Sequence, residues 1–252
     1  MMSKIDDPRK LLAKIRQGDF AHAGDREAID IVMKKMMDAK FIPSQKKLYV
    51  LDVGCGLGGT ADYIREHHSH DITGIDKDAN AIKHATDNYP KCKFFSCSAA
   101  DSNKQFPSTQ FELIYLFNVF YAISEKEEVL KSLAEIAKPE TMLVIFDYVN
   151  MGRDEKYHLK DLAGKEMYPV LAKPLLDFMA RTGWLLLEFV DLSENFISWY
   201  KDFLDKLIHQ REELLKEFSD TAYQKVHDTF SALLRDLESK QLGGGVWYAK
   251  RK

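Results

Sequence analysis

Four glycines within six residues follow an apolar segment in the stretch LYVLDVGCGLGGTADY, residues 48–63. Because they have no Cβ atoms, Gly54, Gly56, Gly58 and Gly59 permit a tight turn and let a ligand lie directly against the peptide groups. Four glycines also weaken local structure, so a turn that binds nothing would be costly to keep. The sequence therefore predicts a loop that recognises a cofactor through its backbone.

The glycine spacing fits two classes of cofactor. Positions 54, 56 and 59 satisfy G-x-G-x-x-G, which is the dinucleotide fingerprint. Positions 54, 56 and 58 satisfy G-x-G-x-G, preceded by the acidic Asp52. Asp76, in the segment DITGIDKD, can bind ribose hydroxyls in either case. The loop by itself does not decide between a nicotinamide dinucleotide and another cofactor that contains a ribose.

Alternating elements must position this loop. Strand-like segments lie at 48–53, 71–75, 93–97, 111–117 and 141–147, with helix-like segments at 59–68, 78–89 and 124–138. The last of these helices is predicted to start with a capping box, Ser124-x-x-Glu127. Such alternation predicts an α/β fold with βαβ units and a Rossmann-like, mostly parallel sheet that has helices on both faces. These sheets bind ligands at the carboxyl ends of their strands, where the glycines lie.

Three parts of the chain are expected. Residues 1–45 read as an N-terminal helical arm and residues 46–150 as the cofactor-binding core. Residues 151–252 read as substrate-side insertions, a helical cap of two amphipathic helices within about 193–240, and the final strands at 184–191 and 244–250. Those two strands are expected to form an antiparallel edge, which brings the sheet to seven strands. Loops at the carboxyl edge tend to serve the site, so the arm and insertions are predicted to enclose a small pocket.

Composition excludes several classes of function. The net charge of −3 offers no basic surplus for a nucleic-acid or membrane partner. The longest apolar run is too short to span a bilayer, and the N-terminus is too charged for a signal peptide, so we expect a cytoplasmic protein. The three cysteines form no metal or disulfide pattern, and the histidines of REHHSH, residues 65–70, suit a helix C-terminus better than a metal site. A monomer and a homodimer both remain open.

Four segments, taken in order, resemble the motif series of class I S-adenosylmethionine-dependent methyltransferases. They are LDVGCGLGG, GID, FPSTQFELIYLFNVF and AEIAKPETMLVIFDY, and they cover roughly residues 45–150. The flanking segments GDFAHAGDREAIDIV and GWLLLEFVDLSENFISWY resemble small-molecule N-methyltransferases of the sarcosine/dimethylglycine and phosphoethanolamine type. The chain departs from the pattern near residues 139–142, where it has Pro-Glu-Thr and the family commonly has Pro-Gly-Gly. That turn is expected to lie away from the cofactor.

The resemblance implies S-adenosylmethionine as cofactor and S-adenosylhomocysteine as product. No metal is expected, because the sequence offers no convincing ligand set and the displacement needs no Lewis acid. It places the cofactor residues after the first four strands: Asp52, Gly54, Cys55, Gly56, Gly58, Asp76, Lys77, Ala100, Asp101, Phe117 and Asn118. The glycine loop would line the methionine and ribose portions, and Asp52 would face the methionine amino group.

The same resemblance assigns the nucleoside portion of the cofactor. Asp76 would take both ribose hydroxyls, a bidentate charge-assisted contact. Lys77 would lie along the adenine. Gap-free alignment puts Ala100 at the usual acidic position near the adenine amino group, with Asp101 as the shifted acidic match. Phe117 and Asn118, together with Val119, would end the fourth strand beneath the sulfonium.

Methyl transfer is an in-line displacement in which a neutral thioether leaves, so alignment and desolvation supply most of the barrier reduction, about 7–11 kcal/mol for good alignment. An amine acceptor must be unprotonated, and a nearby acceptor or base helps that. The candidates are His22, in FAHAG, Tyr121 and Tyr148. Each also has a purely structural interpretation: a helix cap for His22, and packing with a satisfied hydroxyl for the tyrosines.

Trp199 and Tyr200 begin the long helical excursion and share one helix face with Phe196 and Phe203. This face is either core or a lid over the acceptor pocket, where aromatic rings would favour a cationic amine by cation–π attraction. We predict that at least one of Trp199 and Tyr200 belongs to a lid.

The predicted function is transfer of a methyl group from S-adenosylmethionine to a small molecule, most simply at an amine nitrogen. An O- or C-methyltransferase of a small metabolite such as a quinone precursor remains an alternative. A non-catalytic S-adenosylmethionine-binding protein is another. A nicotinamide-dependent oxidoreductase is disfavoured by the order of the motifs, and because the Y-x-x-x-K match from Tyr248 to Lys252 lies at the very end of the sequence, where a dehydrogenase active site is not expected.

Overall fold

The computed structural model describes residues 4–43, 46–107, 110–152 and 157–252. Four parts of the sequence predictions lie outside these ranges: residues 1–3 and residues 44–45 of the arm, residues 108–109 of the third motif, and residues 153–156 of the substrate-side insertions.

All seven predicted strands are present and form one sheet. They are β1 (Tyr49–Val53), β2 (Asp71–Asp76), β3 (Lys93–Ser96), β4 (Phe111–Phe117), β5 (Ala137–Asn150), β6 (Trp184–Asp191) and β7 (Leu242–Arg251). Their order in the sheet is β3-β2-β1-β4-β5-β7-β6. Strands β1 to β5 pair in parallel, and β7 runs antiparallel to both β5 and β6. The chain order reverses between β1 and β4, which is where open α/β sheets bind ligands.

Helices cover both faces of the sheet. They are α1 (Pro8–Arg16), α2 (Asp25–Asp38), α3 (Gly59–His68), α4 (Ala79–Asn88), α5 (Ser102–Gln105), α6 (Lys126–Glu135), α7 (Ala172–Thr182), α8 (Ser193–His209), α9 (Arg211–Glu217) and α10 (Asp220–Glu238). Alternate residues of the central strands enter two separate cores, as a sheet buried on both faces requires. One core includes α1, α2, α3 and the cap helices, and the other includes α6 and α7.

The structure corrects the predicted start of α6. The helix begins at Lys126, its N-cap position is Glu125, and no side chain caps it, so the Ser124–Glu127 capping box was wrong. The Lys126 ammonium instead donates to the carbonyl oxygens of Phe120 and Ile123. These bonds tie the first residue of the helix to the preceding loop, which delays the start of the helix.

Two further helical features differ from expectation. The cap contains three helices, because the chain breaks at Gln210 between α8 and α9. After this break Leu214 and Phe218 are buried in the core, whereas Ile208, just before it, is exposed. Helix α7, which precedes β6, was not predicted. None of the helices in the described ranges combines the length and the apolar character that crossing a membrane requires.

Candidate functional site

A cavity of about 400 Å³ opens at the carboxyl ends of β1 to β4. Residues that follow each of these four strands line it, including Gly54 and Gly56 after β1, Asp76 and Lys77 at β2, and Ala100 after β3. The loop after β4 forms another wall. Seven of the sequence-predicted residues thus surround one space: Gly54, Gly56, Asp76, Lys77, Ala100, Asn118 and Tyr121.

The glycine loop is fixed by backbone hydrogen bonds to β2. The N–H groups of Gly54 and Cys55 both donate to the Ile75 carbonyl, at 2.7 and 3.0 Å. The Gly56 N–H donates to Asp76 Oδ2 at 3.0 Å, and the other Asp76 oxygen accepts from the Asp78 N–H at 2.9 Å. The carboxylate is therefore held in place at the cavity wall by charge-assisted bonds.

The glycines of the loop have different reasons to be glycine. A Cβ atom on Gly56 would meet nothing within 4 Å, so this position opens on free space beside a ligand site. A Cβ on Gly54 would lie 2.4 Å from Val119, and one on Gly58 would lie 2.9 Å from Ala85. Gly54 and Gly58 therefore permit close packing at positive φ. The Cys55 side chain is buried against Gly74 of β2.

Two buried side-chain atoms, one in β1 and one just after β4, lack hydrogen-bond partners among the described residues. Asp52 Oδ2 is one, and burial raises the pKa of this carboxyl to about 8, against the opposing effect of the nearby Tyr115 hydroxyl. Asn118 Nδ2 is the other; the Oδ1 atom of Asn118 accepts the Ala23 N–H at 2.9 Å. Buried groups of this kind normally bind something. Asn118 lines the cavity, so a polar ligand there fits its Nδ2 atom, whereas Asp52 is not among the lining residues.

Two other predicted cofactor residues, Asp101 and Phe117, are not among the residues that line the cavity. Asp101 forms an ion pair with Lys104 at 2.6 Å. Phe117 is buried, with its ring stacked on Phe146 at 5.1 Å between centroids and 4.9 Å from His22. Roles for Asp101 and Phe117 toward the cofactor stay predictions.

His22 lies in the core with both ring nitrogens in use. Nδ1 lies 3.1 Å from the Ala23 carbonyl, which can only accept, so Nδ1 carries the proton. Nε2 then accepts from the Thr60 hydroxyl at 3.0 Å. Burial lowers the pKa of His22 to about 3, so the ring is neutral near pH 7. The surroundings favour a role in holding the arm over the role of a base, and Gly24, not His22, is the N-cap residue of α2.

The three tyrosines predicted on the acceptor side, Tyr121, Tyr148 and Tyr200, lie next to one another. The rings of Tyr121 and Tyr148 lie 5.3 Å apart in a T-shaped contact, and the hydroxyl of Tyr148 is hydrogen-bonded to that of Tyr200 on α8. Tyr121 also lines the cofactor cavity. Burial raises the pKa values of all three phenols above their ordinary value, so they remain neutral near pH 7.

Trp199 and Tyr200 also line a second cavity, of about 380 Å³, between α8 and the arm. Arg16 and Gly24 form part of its opposite wall. The Trp199 indole donates to Glu27 at 3.0 Å, and its ring leaves no space for a Cβ at Gly24. Trp199 thus packs α8 on the arm, whereas Tyr200 reaches the end of β5.

Sequence reasoning missed two buried charges behind the β4 loop, residues 118–123. Asp147 is fully buried, and burial raises its pKa to about 6; Lys126 is 9% exposed, and burial lowers its pKa to about 8. An acid inside the apolar stretch MLVIFDYV was the signal available for Asp147. Lys126, in SEKEEV, resembles an exposed helix start and gave no signal.

Among the described residues, no group of three or more His, Cys, Asp or Glu side chains is placed to hold a metal ion. His67 and His68 lie in the last turn of α3, as expected, whereas His70 lies beyond the helix and its Nδ1 atom accepts the Leu48 N–H at 3.4 Å.

Comparison with known proteins identifies a family and several relatives of this chain. A family model described as a methyltransferase domain matches residues 20–167. Phosphoethanolamine N-methyltransferase 3 of Arabidopsis thaliana is 28% identical over 224 residues, which are 86% of this chain and 44% of that protein. The chain thus spans less than half the length of this relative.

Solved structures share the fold. Phosphoethanolamine N-methyltransferase 2 of Haemonchus contortus, in complex with phosphomonomethylethanolamine and S-adenosylhomocysteine, superposes with a TM-score of 0.80 at 16% identity, over 97% of this chain and 57% of that one. The [4+2]-cyclase SpnF superposes with a TM-score of 0.75 at 18% identity, over 99% of both chains. At these identities the likeness concerns the fold, which carries more than one chemistry.

Proposed function

The chain belongs to the methyltransferase domain family, and on that premise we propose that it transfers the methyl group of S-adenosylmethionine to the amine nitrogen of a small molecule. One observation carries the proposal: the cavity at the ends of β1 to β4 combines the open backbone at Gly56 with the fixed carboxylate of Asp76. A nucleoside fits there because Asp76 can accept from ribose hydroxyls while the glycine loop leaves space for the remainder.

S-adenosylmethionine, when bound, supplies a methyl group on a sulfonium that leaves as a neutral thioether. Asp52 suits the positively charged amino group of its methionine portion, because ionisation of this buried carboxyl needs a cation nearby. Asn118 offers an unpartnered Nδ2 at the end of β4. Asp76 and Lys77 line the part of the cavity assigned to the nucleoside.

The acceptor would lie where Tyr121 borders the cavity and meets Tyr148. The neutral phenols can accept hydrogen bonds from an amine and place its lone pair, and their rings attract a methylated ammonium product. They do not act as bases, since their pKa values are raised. The amine must therefore lose its proton before it reacts. Tyr200 of α8, whose hydroxyl is hydrogen-bonded to that of Tyr148, is the residue to which we assign the lid role.

Relatives named for phosphoethanolamine support a small amine that carries an anionic group as the acceptor class. We further propose that the protein is cytoplasmic, that it is a monomer or a homodimer, and that it acts without nucleic acid, membrane or metal.

The test is a screen of ethanolamine, phosphoethanolamine, sarcosine, catechol and a hydroquinone with S-adenosylmethionine, with S-adenosylhomocysteine formation as the readout. Turnover with an amine and its absence in Asp76→Ala support the proposal. Turnover with the phenols alone would make the protein an O-methyltransferase. Cofactor binding without turnover of any acceptor would favour a non-methylating protein, the alternative that the shared fold of SpnF keeps relevant.

A further inference from the structure

The β4 loop forms one wall of the cofactor cavity through five of its six residues: Asn118, Val119, Tyr121, Ala122 and Ile123. The sixth, Phe120, points the other way and is fully buried in the core. Phe120 therefore anchors the wall, and its surroundings decide where the other five residues lie.

Both peptide groups of Phe120 bind a buried charge. Its N–H donates to Asp147 Oδ2 at 2.7 Å, and its carbonyl accepts from Lys126 Nζ at 2.7 Å. The same carboxylate oxygen accepts the Tyr121 N–H at 3.1 Å, and the same ammonium donates to the Ile123 carbonyl. Asp147 thus accepts hydrogen bonds from N–H groups of the loop, and Lys126 donates hydrogen bonds to carbonyl groups of the same loop.

Asp147 also reaches the acceptor side. Its Oδ1 atom accepts the N–H of Tyr148 at 2.7 Å, so one carboxylate fixes the backbones of both Tyr121 and Tyr148. The ring contact of these tyrosines depends on that spacing. No ion pair between Asp147 and Lys126 occurs in the described structure; each charge is used on peptide groups instead.

Buried charges are costly, and a fold retains them only where hydrogen bonds compensate for desolvation. Apolar residues at 126 and 147 would fill the space but would leave the loop's peptide groups unsatisfied. We propose that Asp147 and Lys126 are positioning residues, which set the cofactor wall and the acceptor tyrosines at a fixed distance by holding the β4 loop from both sides. This inference rests on the proposed function for its ligand, but its geometry can be tested without ligand.

The experiment compares Asp147→Asn, Lys126→Met and Lys126→Arg with the wild-type protein. Amide hydrogen exchange of the ligand-free protein, followed by NMR, reports on the loop directly. Exchange at Phe120 and Tyr121 should rise more than tenfold in Asp147→Asn and Lys126→Met, beyond any global change. Affinity for S-adenosylhomocysteine, measured by calorimetry, should fall at least tenfold, and Lys126→Arg, which keeps donors, should lose less than Lys126→Met.

Glu112→Gln is the matched control. Glu112 is also a shielded carboxylate that accepts a backbone N–H, from Tyr49 at 3.1 Å, and binds a lysine, Lys46, at 2.6 Å. It lies at the start of β4, at the far end of the strand from the loop. Its loss should lower stability yet leave affinity for S-adenosylhomocysteine within twofold and exchange at Phe120 unchanged.

Unchanged amide exchange and unchanged affinity in folded Asp147→Asn and Lys126→Met would overturn the inference. If a variant fails to fold, the wild-type protein still tests the inference. The inference requires the amides of Phe120 and Tyr121 to exchange as slowly as the amides of the central strands. Rapid wild-type exchange at these amides would also overturn it. If the wild-type protein binds no S-adenosylhomocysteine, the proposed function fails, while the exchange data still decide the role of the two charges.

Discussion

The hydroxyl groups of Tyr148, at the end of β5, and Tyr200, on helix α8, are hydrogen-bonded to each other in a buried setting. Residues 52 positions apart in the chain are thereby joined where the proposed acceptor would lie. The bond couples the cap to the carboxyl edge of the sheet, so Tyr200 is the cap residue best placed to influence the proposed methyl transfer.

Tyr200→Phe should raise the acceptor KM or lower kcat while S-adenosylmethionine affinity stays unchanged, at a cost of about 1 kcal/mol in stability for the lost hydrogen bond. Trp199→Ala should behave differently and cost about 3–5 kcal/mol, as buried aromatic truncations do. Thermal melts and acceptor kinetics of the two variants distinguish them. Wild-type acceptor kinetics in both variants would exclude a lid role for this face.

The glycine loop offers a second contrast. Gly56→Ala places a methyl group in open space, so the protein should fold with a penalty of about 1–2 kcal/mol for its positive φ, while the methyl group excludes the cofactor. Gly58→Ala must displace Ala85 and Tyr89, so its main effect should be on the free energy of unfolding. Calorimetry with S-adenosylhomocysteine beside thermal unfolding separates the two effects. Full affinity in Gly56→Ala would place the ligand elsewhere.

Asp52 predicts proton release on cofactor binding. With a pKa of about 8, this carboxyl is mostly protonated at pH 7 in the free protein. A bound ammonium lowers that pKa, so most of one proton should leave. Calorimetry at pH 7 in buffers of different ionisation enthalpy measures the release, and Asp52→Asn should abolish it. The same proton count in wild type and Asp52→Asn would contradict this account of Asp52.

The raised pKa of Asp147 predicts that lower pH increases the stability of the protein but weakens its binding of the cofactor product. Its pKa is raised to about 6 in the folded protein, above the unfolded value of about 3.9. The folded state therefore binds the proton more tightly, and this group makes the protein more stable as pH falls from about 6 to about 4, by at most about 1.4 kcal/mol per unit.

A protonated Asp147 accepts fewer hydrogen bonds from the β4 loop, so affinity for S-adenosylhomocysteine should fall over the same range. The titratable groups that face Asp147 are the Lys126 ammonium of α6 and the neutral phenols of Tyr121, Tyr148 and Tyr200. None of these titrates between pH 4 and pH 6. Denaturant unfolding and calorimetry at several pH values test the prediction, and an Asp147→Asn variant with the wild-type pH dependence would refute it.

The residues that the sequence could identify are those whose signals are local. Strand periodicity and the glycines located Gly56 and Asp76 at the same edge of the sheet, because parallel strands bring their carboxyl ends together. Asp147 and Lys126 could not be identified in this way. Whether a charge is buried depends on contacts between β4, β5 and α6, which a linear pattern does not contain.

The capping box failed for a related reason. Ser124 and Glu127 have the right spacing, but the tertiary bonds of Lys126 outweigh a local preference worth about 1 kcal/mol. Asp101 has the residue type expected near an adenine, and its carboxylate forms an ion pair with Lys104; its role toward the cofactor stays a prediction.

The central claim, that the cavity behind Gly56 binds S-adenosylmethionine, is tested most directly by calorimetric titration of the wild-type protein with S-adenosylmethionine and with NAD, alongside Asp76→Ala and the control Asp71→Ala. Asp71 begins the strand that Asp76 ends, and its carboxylate forms an ion pair with the exposed Lys47. We predict binding of S-adenosylmethionine without comparable binding of NAD, a loss of about 1.5–3 kcal/mol in Asp76→Ala, and no loss in Asp71→Ala. Preferential binding of NAD, or full S-adenosylmethionine affinity in a folded Asp76→Ala, would contradict the claim.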